Sequence, residues 1–113
     1  VAEKFVYKIF TATEFDHFRR DGMFAGSPAD KADGFIHLSS AAQLDGTLSR
    51  HYPGQTGLVL AAIDNSALGA ALRWEVSRGG ALFPHLYGTL PLAALTWAGP
   101  VERASDGVLL LPR

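Results

Sequence analysis

Leu58-Val59-Leu60-Ala61-Ala62-Ile63 is an unbroken apolar run of strand length, and its reading decides the fold. Six apolar residues without alternation predict a strand covered on both faces, hence one at the centre of a sheet. Asp64 and Ser66 follow as a turn or a single helical turn, stopped by Gly69. Working towards the C-terminus, Leu72, Trp74 and Val76 alternate with Arg73 and Glu75, the pattern of a half-exposed strand. Ser77-Arg78-Gly79-Gly80 reads as a loop. Leu82 to Tyr87 reads as a further strand, placed at a sheet edge by Pro84. Leu92 to Leu95 suits a helical turn, and Trp97 to Val101 and Val108 to Leu111 read as final strands around Asp106-Gly107.

Towards the N-terminus, Ser40 and Gln43 have capping-box spacing and open a helix carrying Leu44 and Leu48. Gly46 weakens that helix, and Pro53-Gly54 ends it shortly after Tyr52. Phe35 to Leu38 forms a brief strand, apolar enough on both sides to be covered on both. Ala25 to Gly34, with Gly26, Ser27, Pro28, Asp33 and Gly34, reads as a loop. Val6 to Phe10 is rich in strand formers. Thr11 and Glu14 then mark a capping box, Phe10 and Phe15 a hydrophobic staple, and Ala12 to Arg20 a short helix burying Phe15 and Phe18 until Asp21-Gly22. Many short strands with two short helices define an α+β fold with a mainly antiparallel sheet.

The chain has 113 residues, 10 basic and 11 acidic side chains, 48% hydrophobic residues and no cysteine. That length favours one domain over residues 1–113, large enough to form a core without a disulfide or metal staple. The near-neutral charge lacks the excess of a duplex-DNA binder, so broad nucleic-acid binding is not expected. Without cysteine there is no thiolate metal site and no cysteine nucleophile, and a cytoplasmic setting is the default. No apolar run approaches the ~20 residues that span a bilayer. Val1 to Phe5 includes Glu3 and Lys4 and forms no signal-peptide core. The histidines follow no HxxxH or HExxH spacing, so no metal is expected. GxSxG, Walker and GxGxxG patterns are absent as well.

Two segments concentrate chemistry. Asp33-Gly34-Phe35-Ile36-His37-Leu38-Ser39-Ser40 puts a histidine and two hydroxyls where a strand feeds a helix start, a place that attracts anions. There His37 can serve as donor, proton carrier or anchor. The blander reading makes Ser40 a helix cap and His37 a core histidine bonded to a carbonyl. In Trp74-Glu75-Val76-Ser77-Arg78-Gly79-Gly80-Ala81-Leu82-Phe83-Pro84-His85-Leu86-Tyr87-Gly88, alternation projects Phe83, His85 and Tyr87 together as a platform for a planar base or sugar. Arg78 beside two glycines suits a phosphate, and Glu75 a ribose hydroxyl or a base's role. Here the blander reading is a solvated strand face, a glycine turn and a core tryptophan. His17 falls off the Phe15/Phe18 face and is expected in solvent. His51 ends the second helix, where the helix dipole alone explains a cation.

These strings resemble the small bacterial family called domain of unknown function 952. The resemblance rests on Asp33 to Ser39, on Trp74-Glu75 and Ser77 to Gly80, and on Phe83-Pro84-His85-Leu86-Tyr87-Gly88; it covers nearly the whole chain. Val76 stands where that pattern has a proline. The family's fold is thought similar to the ADP-ribosyltransferase group, and His37-Leu38-Ser39 is similar to a string in the RNA 2′-phosphotransferases of that group. The resemblance thus implies a split antiparallel sheet whose two halves enclose a cleft for NAD or an ADP-ribose-like ligand. Two features of that group have no match. Its first-strand His or Arg is absent from Tyr7-Lys8-Ile9-Phe10, and its late glutamate has no counterpart that spacing could assign to Glu75.

Two functional readings follow. In the first, a small-molecule, nucleotide-like or phosphorylated ligand occupies a cleft, with transferase chemistry as the activity in view. His37 and His85 are then the candidate catalytic groups, and Ser39, Ser40, Glu75, Arg78 and Tyr87 the candidate ligand contacts. In the second, the chain is a non-catalytic interaction or scaffold domain whose histidine segments are folding determinants.

Overall fold

The computed structural model describes residues 3–111; Val1, Ala2, Pro112 and Arg113, counted above within the expected domain, lie outside the described residues. The strands are β1 (Phe5–Phe10), β2 (Met23–Phe24), β3 (Ile36–His37), β4 (Val59–Asp64), β5 (Leu72–Val76), β6 (Leu82–Leu86), β7 (Leu90–Pro91) and β8 (Leu95–Pro100). The α-helices are α1 (Ala12–Asp21), α2 (Pro28–Asp33) and α3 (Leu44–His51). All strand pairings are antiparallel, in an α+β arrangement of three small sheets ordered β1-β4-β8, β2-β7 and β3-β6-β5.

The apolar run becomes β4, in the middle of its sheet as its composition predicts. Its alternate side chains feed two separate clusters. Ala61 and Ile63, with Val6 and Phe10 of β1, join Phe15, Phe18, Phe24, Ile36 and Leu86; Leu60 and Ala62, with Tyr7 and Ile9, join Leu44, Leu48 and Leu109. Burial on both faces is why the run shows no polar alternation. Phe10 anchors the first cluster, with ring centroids 5.4 Å from Phe18 and 5.0 Å from Phe24.

Helix α1 carries the expected cap. Thr11 Oγ1 accepts the Glu14 N–H at 3.1 Å, and Glu14 Oε1 accepts the Thr11 N–H at 2.9 Å. Helix α2 corrects the sequence reading, which took 25–34 for a loop and allowed two helices in all. Ser27 is its N-cap, Asp30 completes a second capping box, Pro28 opens the first turn and Gly34, at φ 86°, closes it. The residues that suggested a loop are helix punctuation: Pro belongs at the first helical position and Gly just past the last. A 3-10 turn, Ala41–Gln43, precedes α3; Gln43 Oε1 accepts the Ser40 N–H at 3.0 Å.

In the third sheet Pro84 lies on the central strand β6, not at an edge. The Pro84 carbonyl accepts the Leu38 N–H, just past the end of β3. In an antiparallel strand a residue's N and O point the same way, so the imide nitrogen faces that same margin, where the two-residue β3 has ended and no donor is required. The expected double cover of 35–38 also fails on one side: Ile36 and Leu38 are buried, whereas Phe35 and His37 are half-exposed. Val108 to Leu111 contributes no strand; Leu109 makes one isolated bridge to Arg103. The short β2-β7 pair has no strong sequence signal.

Candidate functional site

β1 and β3 are both edge strands of their sheets, and they touch once. Tyr7 and Ser39 exchange two backbone hydrogen bonds, at 2.8 and 2.9 Å. Continuing that antiparallel register would pair Ile9 with His37, but the strands part there. Since Ser39 faces β1 with its backbone and Leu38 faces β6, the His37 N–H and C=O are turned towards the gap. Side chains fill it. Asp30 Oδ1 accepts the His37 N–H at 3.1 Å, and Lys8 Nζ donates to the His37 carbonyl at 3.1 Å. Lys8 Nζ also reaches Asp30 Oδ2 at 3.1 Å. A buried ion pair thus stands in for a strand where the sheets divide.

Asp30 is 1% exposed. Its carboxylate receives the His37 N–H and Nδ1 on Oδ1, and the Ser27 N–H and Lys8 ammonium on Oδ2. Burial alone would raise its pKa. The His37 ring bond, the Lys8 charge and the N–H groups of Ser27 and His37 outweigh burial and hold it well below the usual carboxylate range. The His37 ring is clasped at both nitrogens: Nδ1 lies 2.6 Å from Asp30 Oδ1, and Nε2 lies 2.9 Å from Asp33 Oδ2. It can donate at both only as the imidazolium. Asp33 is more than half exposed, so its contact is the one an incoming ligand can displace.

A cleft of about 330 Å³ opens at the split between β1 and β3, with α2 and α3 also on its walls. His37, Ser39 and Arg78, three of the sequence candidates, line it together with Lys8, Asp30, Asp33, Thr47 and His51. Ser39 Oγ is 2.9 Å from Thr47 Oγ1. The Arg78 guanidinium lies 4.7 Å from the Phe83 ring centre and makes no ion pair among the described residues. His51, set aside above as a helix-end cation, borders the same cleft. Partial burial and then the charges of Arg78, Arg50 and His37 push its pKa down.

The other candidates lie elsewhere. His37 and His85 are register partners on β3 and β6, with ring centroids 5.8 Å apart. Phe35 contacts both, stacking on His85 at 4.0 Å and tilting against His37 at 4.7 Å. His85 is 5% exposed and its Nδ1 lies 2.9 Å from Glu75 Oε1, which also accepts the Tyr87 hydroxyl at 2.7 Å. The Tyr87 bond first, then the His85 bond, hold Glu75 below its ordinary pKa; the same contact raises Tyr87. Ser40, Glu75, His85 and Tyr87 are not among the cleft-lining residues. His17 is exposed, as its place on α1 predicts. Among the described residues no group of three or more His, Asp or Glu side chains is placed to hold a metal ion, and no helix is long and apolar enough to cross a membrane.

Sequence reasoning missed Lys8, Asp30 and His51. A signal existed for the first two: Lys8 is the one charge within the strand Val6 to Phe10, and Ser27-Pro28-Ala29-Asp30 has capping-box spacing. His51 carried none, because its neighbours Arg78 and His37 are remote in sequence.

The structure therefore defines a small α+β protein with a polar cleft at the junction of two antiparallel sheets. The family model "Protein of unknown function (DUF952)" matches residues 9–98, and the chain belongs to that family. It is similar to the crystal structure of protein CC0527 from Caulobacter crescentus, at 43% identity and a TM-score of 0.84, covering 94% of this chain and 93% of that one. The solution NMR structure of CC0527 matches with 44% identity and a TM-score of 0.79, over 93% of this chain and 90% of that one. Comparison with curated proteins finds no match.

Proposed function

We propose that the cleft binds a nucleotide-like or phosphorylated small molecule and that His37 handles a proton there. The observation that carries this reading is the Asp30–His37 pair beside the Arg78 guanidinium, which no carboxylate among the described residues neutralises. A buried carboxylate on Nδ1 orients an imidazole and leaves Nε2 as its working atom. Once a ligand displaces Asp33, Nε2 can accept a proton from an attacking hydroxyl or return one to a leaving group, which suits transfer of a group from the bound ligand. Ser39 and Thr47 supply hydroxyls on the same wall. The resemblance to the ADP-ribosyltransferase group favours an NAD or ADP-ribose-like ligand. Small-molecule sites span roughly 300–1,000 Å³; a cleft of about 330 Å³ favours enclosing one nucleotide-sized part over a whole dinucleotide. The absence of cysteine suits a cytoplasmic setting.

Calorimetry and thermal-shift measurements with NAD, ADP-ribose and 2′-phosphorylated RNA test this reading. Binding by at least one, lost in Arg78→Ala and His37→Ala, supports it; no binding by any to the folded protein overturns it. The scaffold reading is favoured at one position only. His85 is buried, bonded to Glu75 and stacked on Phe35, so its role is to hold Phe35 and β6 in place.

A further inference from the structure

Gly46 lies inside α3, where glycine costs stability relative to alanine. It is not among the glycines of positive φ, so the backbone does not demand it. The reason is a neighbour. A Cβ at position 46 would lie 3.0 Å from Arg78 Nη2, with the Arg78 Cζ at 3.7 Å. The guanidinium is therefore seated with the bare backbone of α3 beside it and the Phe83 ring 4.7 Å away. Both contacts are apolar or uncharged, which leaves the fork of N–H donors without a carboxylate. On α3, Thr47 and His51 are spaced i,i+4 and both line the cleft next to this seat. The negative charges nearby are already engaged: Asp30 with Lys8, and Asp33 with His37 Nε2. Arg78 and His51 are what remains on that wall; partial burial first, and the Arg78 charge after it, lower the pKa of His51.

Resting on the cleft reading above, we propose that Arg78 and His51 form a phosphate subsite, seated by Gly46, and that it takes a terminal phosphate monoester on a nucleotide or sugar. The fixed charge of Arg78, with a His51 ring on the same cleft wall that an approaching dianion can protonate, complements a doubly charged group better than the single charge of a diester. Arg78 supplies a planar fork for two phosphate oxygens. His51 supplies a ring N–H and a charge that the bound anion stabilises. Gly46 acts by position: a Cβ there forces the flexible end of Arg78 to give by a few tenths of an ångström, away from the geometry of its fork.

Adenosine 5′-monophosphate, with cyclic adenosine monophosphate as the diester control, provides the test by calorimetry. The wild-type protein is expected to bind the monoester at least tenfold more tightly than the diester. Gly46→Ala is expected to raise Tm by a few degrees while weakening monoester binding about tenfold or more, and His51→Gln to weaken it without lowering Tm. A merely structural Gly46 would move Tm alone. If Arg78→Ala abolishes binding but Gly46→Ala and His51→Gln leave it within twofold, the subsite is overturned and the cleft reading survives. Equal affinity for monoester and diester, or binding of ADP-ribose without the monoester, overturns it likewise. If Arg78→Ala leaves monoester binding intact, the cleft reading itself falls.

Discussion

Lys8 and Asp30, 22 residues apart in sequence and both buried, meet at 3.1 Å and together occupy the place of a β-strand beside His37. The pair links β1 to α2 and satisfies the backbone N–H and C=O of His37 where β3 has no partner strand. Such a pair need not be more stabilising than an apolar substitute, but losing one member strands the other. Asp30→Ala leaves the buried Lys8 ammonium without its counter-charge, with the His37 carbonyl as its remaining acceptor and the Phe24 ring 5.8 Å away, and is expected to cost about 3–5 kcal/mol in urea unfolding. The double variant Lys8→Met/Asp30→Ala should recover part of that loss. A cost below about 1 kcal/mol for Asp30→Ala would show that the pair bears little of the fold.

Acid should act through the same carboxylate. The folded-state pKa of Asp30 is lowered: burial opposes its charge, but the His37 ring, Lys8 and the N–H groups of Ser27 and His37 prevail. A depressed pKa means that the unfolded chain takes up a proton first. The stabilisation is therefore complete above the unfolded value of about 3.9 and drains away as pH falls towards the lower folded value. Denaturant midpoints measured between about pH 5 and pH 2 should fall for the wild-type protein, with a visibly smaller slope for Asp30→Asn. Equal slopes for the two proteins would rule out Asp30 as the acid-sensitive group.

Alkali probes another part of the core. Burial first, then the charges of Glu14 and Asp30, push Tyr52 up to about 12, and its hydroxyl donates to the Ile9 carbonyl at 3.3 Å. Tyr7 is raised by burial and by Glu3, and Tyr87 by its bond to Glu75. Here the neutral form belongs to the fold, so stability is complete below the unfolded pKa of about 10 and is lost as pH rises towards the folded value. Ultraviolet titration should show all three tyrosines ionising above the free phenol, with Tyr52 the last. Tyr52→Phe should remove the last step. Ionisation of Tyr52 at or below the free-phenol value would contradict its burial.

What the sequence discloses tracks the range of the forces involved. Thr11 with Glu14, and the run from Leu58 to Ile63, act over a few residues or through composition, and both read correctly. Helix α2 was hidden because Pro28 and Gly34 serve turns and helix ends alike; only the Ser27–Asp30 spacing separates the two. Pro84 misled for a different reason: a proline excludes itself from a ladder position, not from a central strand, and β3 is too short to need that position. His37, Ser39 and Arg78 were legible as polar types in dense segments. Lys8, Asp30, Gly46 and His51 acquire their roles from contacts between remote parts of the chain, which no local pattern records.

The two histidines on neighbouring strands should separate cleanly under mutation. His85→Ala removes a buried ring that stacks on Phe35 and bonds Glu75, and leaves a cavity behind it. Its expected cost is about 2–4 kcal/mol in stability, with ligand affinity per folded molecule unchanged, because His85 does not line the cleft. His37→Ala removes a half-exposed ring but keeps the backbone N–H and C=O that Asp30 and Lys8 hold. It forfeits one charge-assisted bond to Asp30, about 1.5–3 kcal/mol, and with it the ligand response. Urea unfolding gives the first quantity for each variant, and calorimetry with ADP-ribose the second. Loss of the ligand response in a well-folded His85→Ala would move the working site to the Phe35–Glu75–Tyr87 side of the sheet; its survival in His37→Ala would leave Asp30 and Lys8 as pure scaffolding.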